Sequence, residues 1–185
     1  KYQMAEYRLS IYGKSKSEWS QLASWWYDNK LVSPNVVWMV QIPRLYAIYR
    51  KSGMLKNFAE FISNIFEPLF EITRSPNKDP KLVAFLDNVV GFDIVDDESR
   101  HERKVHREMP TPEEWDVEKN PAYNYYLYYI YANLYVLNSF RQQRNMSQFS
   151  FRPHAGEAGD VDHLAGAFLV ANSINHGINL KKSPP

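Results

Sequence analysis

The sequence predicts an α/β chain, about five consecutive β/α units of an incomplete TIM-type (β/α)8 barrel. Two observations carry this. Strand-like and helical patterns alternate strictly, and alternation of that kind builds a parallel sheet. The strands are apolar but hold polar residues at interior positions, as Asp93 stands within Val-Val-Gly-Phe-Asp-Ile-Val. A barrel turns such residues inward and places its chemistry at the C-terminal ends of its strands. A complete barrel has eight strands in roughly 250 residues. The 185 residues here are therefore expected to form one partial domain, 1–185, about three strands short.

The elements follow in order. Residues 5–12 alternate apolar Tyr7, Leu9 and Ile11 with polar Glu6, Arg8 and Ser10, a period of two. Gly13 and residues 14–17 break that strand. Residues 18–29 carry Trp19, Leu22, Ala23 and Trp26 at helical spacing. Residues 35–42 are a near-continuous β-rich run, as for a strand buried on both faces, and Pro43 ends it. Residues 45–49, 57–70 and 80–87 read as helices, and 89–95 as another buried strand. A charged, proline-bearing loop runs to Asn120. Residues 121–144 form a long helix with Pro121 near its first turn. A strand starts at 148–151 and runs into 152–157. Residues 162–172 are helical, and 174–180 are the last strand-like piece.

Composition narrows the chemistry. A net charge of +1 gives no bulk field toward nucleic acid or an anionic membrane. The densest charged run, 96–107, mixes both signs and reads as a solvated loop. With no cysteine, disulfides and thiolate metal sites are excluded, so histidines and carboxylates must carry any metal. No apolar run approaches the ~18 residues of a membrane span. The start shows no signal-peptide pattern and enters a strand almost at once, and the end, Leu-Lys-Lys-Ser-Pro-Pro, is as abrupt. The chain is expected to begin and stop within a domain, and the protein to be cytosolic.

Several features invite bolder readings. Tyr123, Tyr125, Tyr126, Tyr128, Tyr129, Tyr131 and Tyr135 surround the long helix. Base stacking on single-stranded nucleic acid would want interleaved Arg and Lys. Residues 122–140 have neither, so the helix is read as buried or at an interface. Trp19, Trp25, Trp26 and Trp38 read as core or contact residues. Asp160, Asp162 and His163 resemble a metal cluster, but an Asp160 or Asp162 helix N-cap is preferred. His101 and His106 read as solvated, and Lys181 and Lys182 as surface lysines. Glu6 and Arg8 share a strand face and are expected to join a buried charge network with Arg44, Asp93 or Arg152.

The informative stretch is Arg152-Pro153-His154-Ala155-Gly156-Glu157-Ala158-Gly159. Pro153, Gly156 and Gly159 disfavour a helix. A strand ending at His154 and a turn presenting Glu157 are predicted instead. His176 follows 22 residues later, a gap that fits one helix, so it would end the next strand. Adjacent strands would then deliver two imidazoles and a carboxylate to one pocket. An imidazole can hold a zinc ion that acidifies water. A second histidine can deprotonate that water. A carboxyl kept protonated in a dry pocket can donate to a ring nitrogen.

This octapeptide, followed by His176-Gly177, is similar to the paired motifs of the adenosine/AMP deaminase family. His-Ala-Gly-Glu is shared with adenosine deaminases. Residues 2–13, 89–99, 120–137 with Tyr-Tyr-Leu-Tyr-Tyr, and 176–184 look more like the AMP deaminase branch. The resemblance implies His154 as a zinc ligand, Glu157 as the carboxyl that contacts the purine and protonates N1, and His176 as the catalytic base. It implies Zn²⁺ as cofactor, AMP as substrate, hydrolysis to IMP and ammonia through attack of zinc-activated water on C6, and a homo-oligomer. The family's H-x-H pair occurs nowhere here, and the chain stops before its metal-binding Asp. One zinc ligand of four is therefore present, and the isolated chain is expected to bind zinc weakly, to be inactive and to aggregate. Asp96 stands where adenosine deaminases usually have Gly. The alternatives are an adenosine-specific deaminase and a non-catalytic, deaminase-like regulatory or assembly partner.

Overall fold

A computed structural model describes residues 3–100, 102 and 108–182. His101 and His106 lie outside the described residues. The alternating segment forms strand β1 (Ala5–Ser10), followed by helix α1 (Glu18–Asp28) and strand β2 (Val36–Pro43). Helices α2 (Tyr46–Lys51), α3 (Phe58–Arg74) and α4 (Pro80–Leu86) come next, then β3 (Val89–Val95). Helix α5 (Tyr123–Gln143), strands β4 (Ser150–Phe151) and β5 (His154–Ala155), helix α6 (Asp162–Val170) and strand β6 (Asn175–His176) complete the order.

β1 to β4 form one parallel sheet in sequence order, and β5 pairs in parallel with β6. Residues 150–155 are one extended run that changes neighbours at Arg152-Pro153. The Arg152 N–H still reaches Phe92 O on β3 at 2.8 Å, whereas Pro153 O accepts from Asn175 N–H at 2.9 Å. The next N–H on the β3 side, that of His154, leaves the ladder for the Asp93 carboxylate.

The two faces of the sheet differ as the period of two requires. Leu9, Ile11, Trp38, Val40, Ile42, Phe92, Ile94 and Phe151 pack into the main hydrophobic core under the helices. Trp19 of α1 meets Phe92 at 6.0 Å and Trp26 meets Phe85 at 5.4 Å, while Phe58 of α3 packs edge-on against Tyr126 of α5 at 4.8 Å. The opposite face carries Glu6, Arg8, Ser10, Gln41, Asp93 and Arg152. It is tied by Ser10–Gln41, Arg152–Glu6 and Arg8–Asp93 hydrogen bonds of 2.9, 2.6 and 3.2 Å. The expected charge network is therefore present without Arg44, which pairs elsewhere.

Arg8 also shows that the strands curl. Its Nη2 donates to Asn175 Oδ1 on β6 at 3.1 Å. Four strand intervals of about 4.8 Å would put a flat β6 roughly 19 Å away, beyond the reach of one arginine.

Local chemistry explains the helix starts. Asn57 Oδ1 accepts the Glu60 N–H and Glu60 returns its carboxylate to the Lys56 N–H, a near-reciprocal cap on α3. Asp79 caps α4 ahead of Pro80.

Five expectations need correction. The last strand is two residues long, because His176 and Gly177 take φ of 72° and 64° and a 3-10 turn (Ile178–Lys181) follows. The strand expected across 148–157 is split at Pro153. α3 runs four residues past Phe70, with Pro68 inside it. α5 is not buried all round: Tyr123, Tyr125 and Tyr126 are in the core, whereas Tyr128, Tyr135 and Val136 face out. Trp25 is also exposed, unlike Trp19, Trp26 and Trp38. No helix of the described residues is long and apolar enough to cross a membrane.

Candidate active site

The site forms where β5 and β6 end. Their register sets Ala155 beside His176, so His154 and His176 rise from adjacent strands with ring centroids 4.6 Å apart. Gly156, at φ 68°, turns the chain so that Glu157 joins them. Donor atoms of His154, Glu157 and His176 lie within 4.8 Å of one another. Glu157 Oε2 is 3.7 Å from His176 Nε2, and both side chains are partly open to solvent. The structure thus brings all three residues named from the sequence into one place. A left-handed backbone at His176, a β-carbon residue, is strain held by its surroundings. The Gly177 N–H anchors that turn on Ala155 O at 3.1 Å.

His154 is held most firmly. Asp93, wholly buried on β3, accepts the His154 backbone N–H and meets its ring Nδ1, both at 2.9 Å on Oδ1. Its Oδ2 takes Arg8 Nε. With Nδ1–H directed at a carboxylate, Nε2 keeps the free lone pair, the arrangement found behind metal-binding histidines. Tyr123, from the first turn of α5, donates its hydroxyl to His154 O at 2.8 Å.

Beneath the Glu157 turn lies a group of buried charges that the mixed-charge reading of 96–107 missed. Glu98, 3% exposed, accepts the N–H groups of Gly156 and Glu157. Its Oε2 also lies 2.9 Å from His163 Nδ1. The other ring nitrogen of His163 is 3.7 Å from Glu102, which caps the Tyr123 N–H and pairs with fully buried Arg44. Arg44 Nη2 lies 3.6 Å from Asp96. The His163 ring stacks on Tyr123 at 4.2 Å.

Burial alone would lower the His163 pKa, but Glu102 and Glu98 outweigh it and raise it to about 9. Burial would raise Glu102, but His163 and Arg44 bring it down to about 2. Glu98 is lowered in the same way, burial being outweighed by His163 and the two backbone N–H groups. Burial pushes the Tyr123 phenol far up, so it stays a donor.

His163 therefore faces Glu98 and Glu102. Asp162 is the first residue of α6, Val161 sits at the cap, and Asp160 accepts the Asp162 N–H from one residue further out. Lys181 and Lys182 are exposed. The signal that could have found Glu98 was its position, just past the C-terminal end of β3.

Comparison with known proteins agrees with this geometry. The model of the AMP deaminase family matches residues 1–185. An AMP deaminase of Schizosaccharomyces pombe is 57% identical over 184 residues, covering 100% of this chain and 22% of its own length. An AMP deaminase of Arabidopsis thaliana is 58% identical over 184 residues, again 100% of this chain and 22% of its own length. AMP deaminase 1 of Homo sapiens is 53% identical over 185 residues, 100% of this chain and 25% of its own. The chain thus spans about a quarter or less of the length of these relatives. With the match unbroken from end to end, and two imidazoles and a carboxylate gathered at neighbouring strand ends, the chain belongs to the AMP deaminase family.

Proposed function

We propose that this chain supplies part of the active site for hydrolytic deamination of AMP to IMP and ammonia in purine nucleotide metabolism. The observation that carries the reading is the convergence of His154, Glu157 and His176 at the ends of two paired strands. His154 would hold a zinc ion through Nε2, and the Asp93 carboxylate behind its Nδ1 fits that task by fixing the tautomer and the ring orientation. Zinc, when bound, lowers the pKa of water toward ~7.

The rest follows from the residues. Glu157 donates a proton to purine N1, which makes C6 electrophilic. His176 takes a proton from the attacking water as the C6–O bond forms. It returns that proton to the amino group, which leaves as ammonia when C6–N breaks. The C6 hydroxyl proton restores Glu157 as the carbonyl forms. General acid–base steps of this kind contribute about 10²- to 10⁴-fold each.

The same proposal makes the chain, 1–185, an arc of a (β/α)8 barrel. Consecutive parallel strands, their curl, helices over the apolar face and charged residues on the other all support this. The family likeness further suggests a cytosolic homo-oligomer.

The test is made in the full-length protein, following ammonia release from AMP and from adenosine. AMP is expected to be the better substrate. Glu157→Gln and His176→Ala are each expected to lower kcat by about 100-fold or more. Preference for adenosine, or wild-type rates in either variant, would overturn the reading.

A further inference from the structure

The turn that presents Glu157 has little ladder of its own. Gly156 and Gly159 both take φ of 68°. Its backbone groups are held from two neighbouring loops. Glu98, in the loop after β3, accepts the Gly156 N–H on Oε2 at 2.8 Å and the Glu157 N–H on Oε1 at 3.3 Å. Asn179, in the turn after β6, gives its N–H to Gly156 O at 2.8 Å. The Glu98 peptide lies so close under Gly159 that a Cβ there would stand 1.8 Å from the Glu98 carbonyl oxygen. The three loops that would surround a reacting purine are therefore joined at the Gly156–Glu157 peptide.

A neutral side chain could cap such a turn. A carboxylate 3% exposed is an expensive way to do so, because its desolvation must be offset by partners. Here every partner is supplied. His163 stands against Glu98, Glu102 against His163, and Arg44 against Glu102. Tyr123 is stacked on His163 and bonded to His154 O, so the same assembly touches the base of His154 as well. What the arrangement gains over a neutral cap is two charge-assisted bonds to the turn that carries Glu157, a short one at the Gly156 N–H and a longer one at the Glu157 N–H.

We propose that Glu98 is a positioning residue for the reaction, setting where the Glu157 carboxyl stands through the N–H groups of Gly156 and Glu157, with His163 as its counter-charge. The inference rests on the reading of Glu157 as the proton donor to N1. A displacement of about 1 Å at such a group is enough to cost on the order of 100-fold in rate.

The experiment uses the full-length protein with Glu98→Gln, Glu157→Asp, the double variant, and His163→Gln. Glu98→Gln is expected to keep its zinc content and to hold KM for AMP within about threefold, while kcat falls roughly 10- to 100-fold. The double variant is expected to be within about threefold of Glu157→Asp alone, because both changes act on one group. His163→Gln leaves the two N–H acceptors in place and is expected to lower kcat about three- to tenfold. Should Glu98→Gln not fold, His163→Gln carries the test alone. An unchanged kcat, loss of zinc in step with loss of rate, or losses that multiply in the double variant would overturn the proposal. Wild-type turnover in Glu157→Asp would instead overturn the role given to Glu157.

Discussion

His163 and Glu98 illustrate how a residue's neighbours, rather than its type, decide its state. Burial works against a charged His163, yet Glu102 and Glu98 raise its pKa from 6.5 to about 9. A histidine that binds its proton more tightly when folded gives its full stabilisation below pH 6.5 and loses it as pH rises through about 9. The amount is on the order of 3 kcal/mol. Glu102, held at about 2, acts with the opposite sign: its contribution is present above 4.5 and lost as pH falls toward 2. Thermal unfolding of the full-length protein is therefore expected to show Tm declining from pH 6.5 to 9. His163→Gln should start lower and lose most of that slope, and an unchanged slope in the variant would refute the assignment. Little of this was legible in the sequence. Residues 96–107 mix both signs, as solvated loops do, and only the place of Glu98 just past β3 hinted at which carboxylate turns inward. His154 and Glu157 were legible because two glycines and a proline leave few other conformations for that segment, and His176 because a gap of 22 residues fits one helix and the paired motif resembles a known family.

At the scale of elements, β3 and β4 are fitted to each other through one missing side chain. A Cβ at Gly91 would stand 2.5 Å from both the carbonyl oxygen and the hydroxyl of Ser150. Gly91→Ala must then push β4 away from β3, at about 1–3 kcal/mol. Since the same run continues into His154, affinity for the proposed zinc ion in the full-length protein should fall with stability. Denaturant midpoints and chelator competition read both, and wild-type values for both would contradict this account. The long elements were readable from pattern alone: the buried runs of β2 and β3, and the capped starts of α3 and α4. The short ones were not. β6 stops at two residues because positive φ at His176 and Gly177 turns the chain, and the apolar residues after it pack as a 3-10 turn instead of continuing a strand. Tyrosines around α5 misled for a related reason, since the phenol tolerates exposure that Leu or Phe would not.

Over the whole molecule, charges on the polar face of the sheet tie distant strands together. Arg8 on β1 holds Asp93 on β3 and Asn175 on β6. Arg8→Met keeps the side-chain length and removes the charge, leaving Asp93 Oδ2 without its cation. A loss of about 1–3 kcal/mol is expected, at the lower end for a half-exposed arginine. Hydrogen exchange should rise at residues 174–177, far from Arg8 in sequence, and protection there equal to wild type would show that Arg8 does not tie β6. Polar residues inside apolar strands were the sequence signal for this architecture. Their partners were only partly foreseeable, because register decides them: Glu6 meets Arg152 and Arg8 meets Asp93, while Arg44, one residue past β2, turns to Glu102 instead.

The His154 amide leaves the β3 ladder, and Asp93 takes it up together with the imidazole. A side chain tethered at two points surrenders its rotamers as the polypeptide folds, a loss of roughly 1 kcal/mol that is complete before anything arrives from solution. Binding of the proposed zinc ion would then require no further ordering of this histidine, a fixed socket instead of a swinging arm.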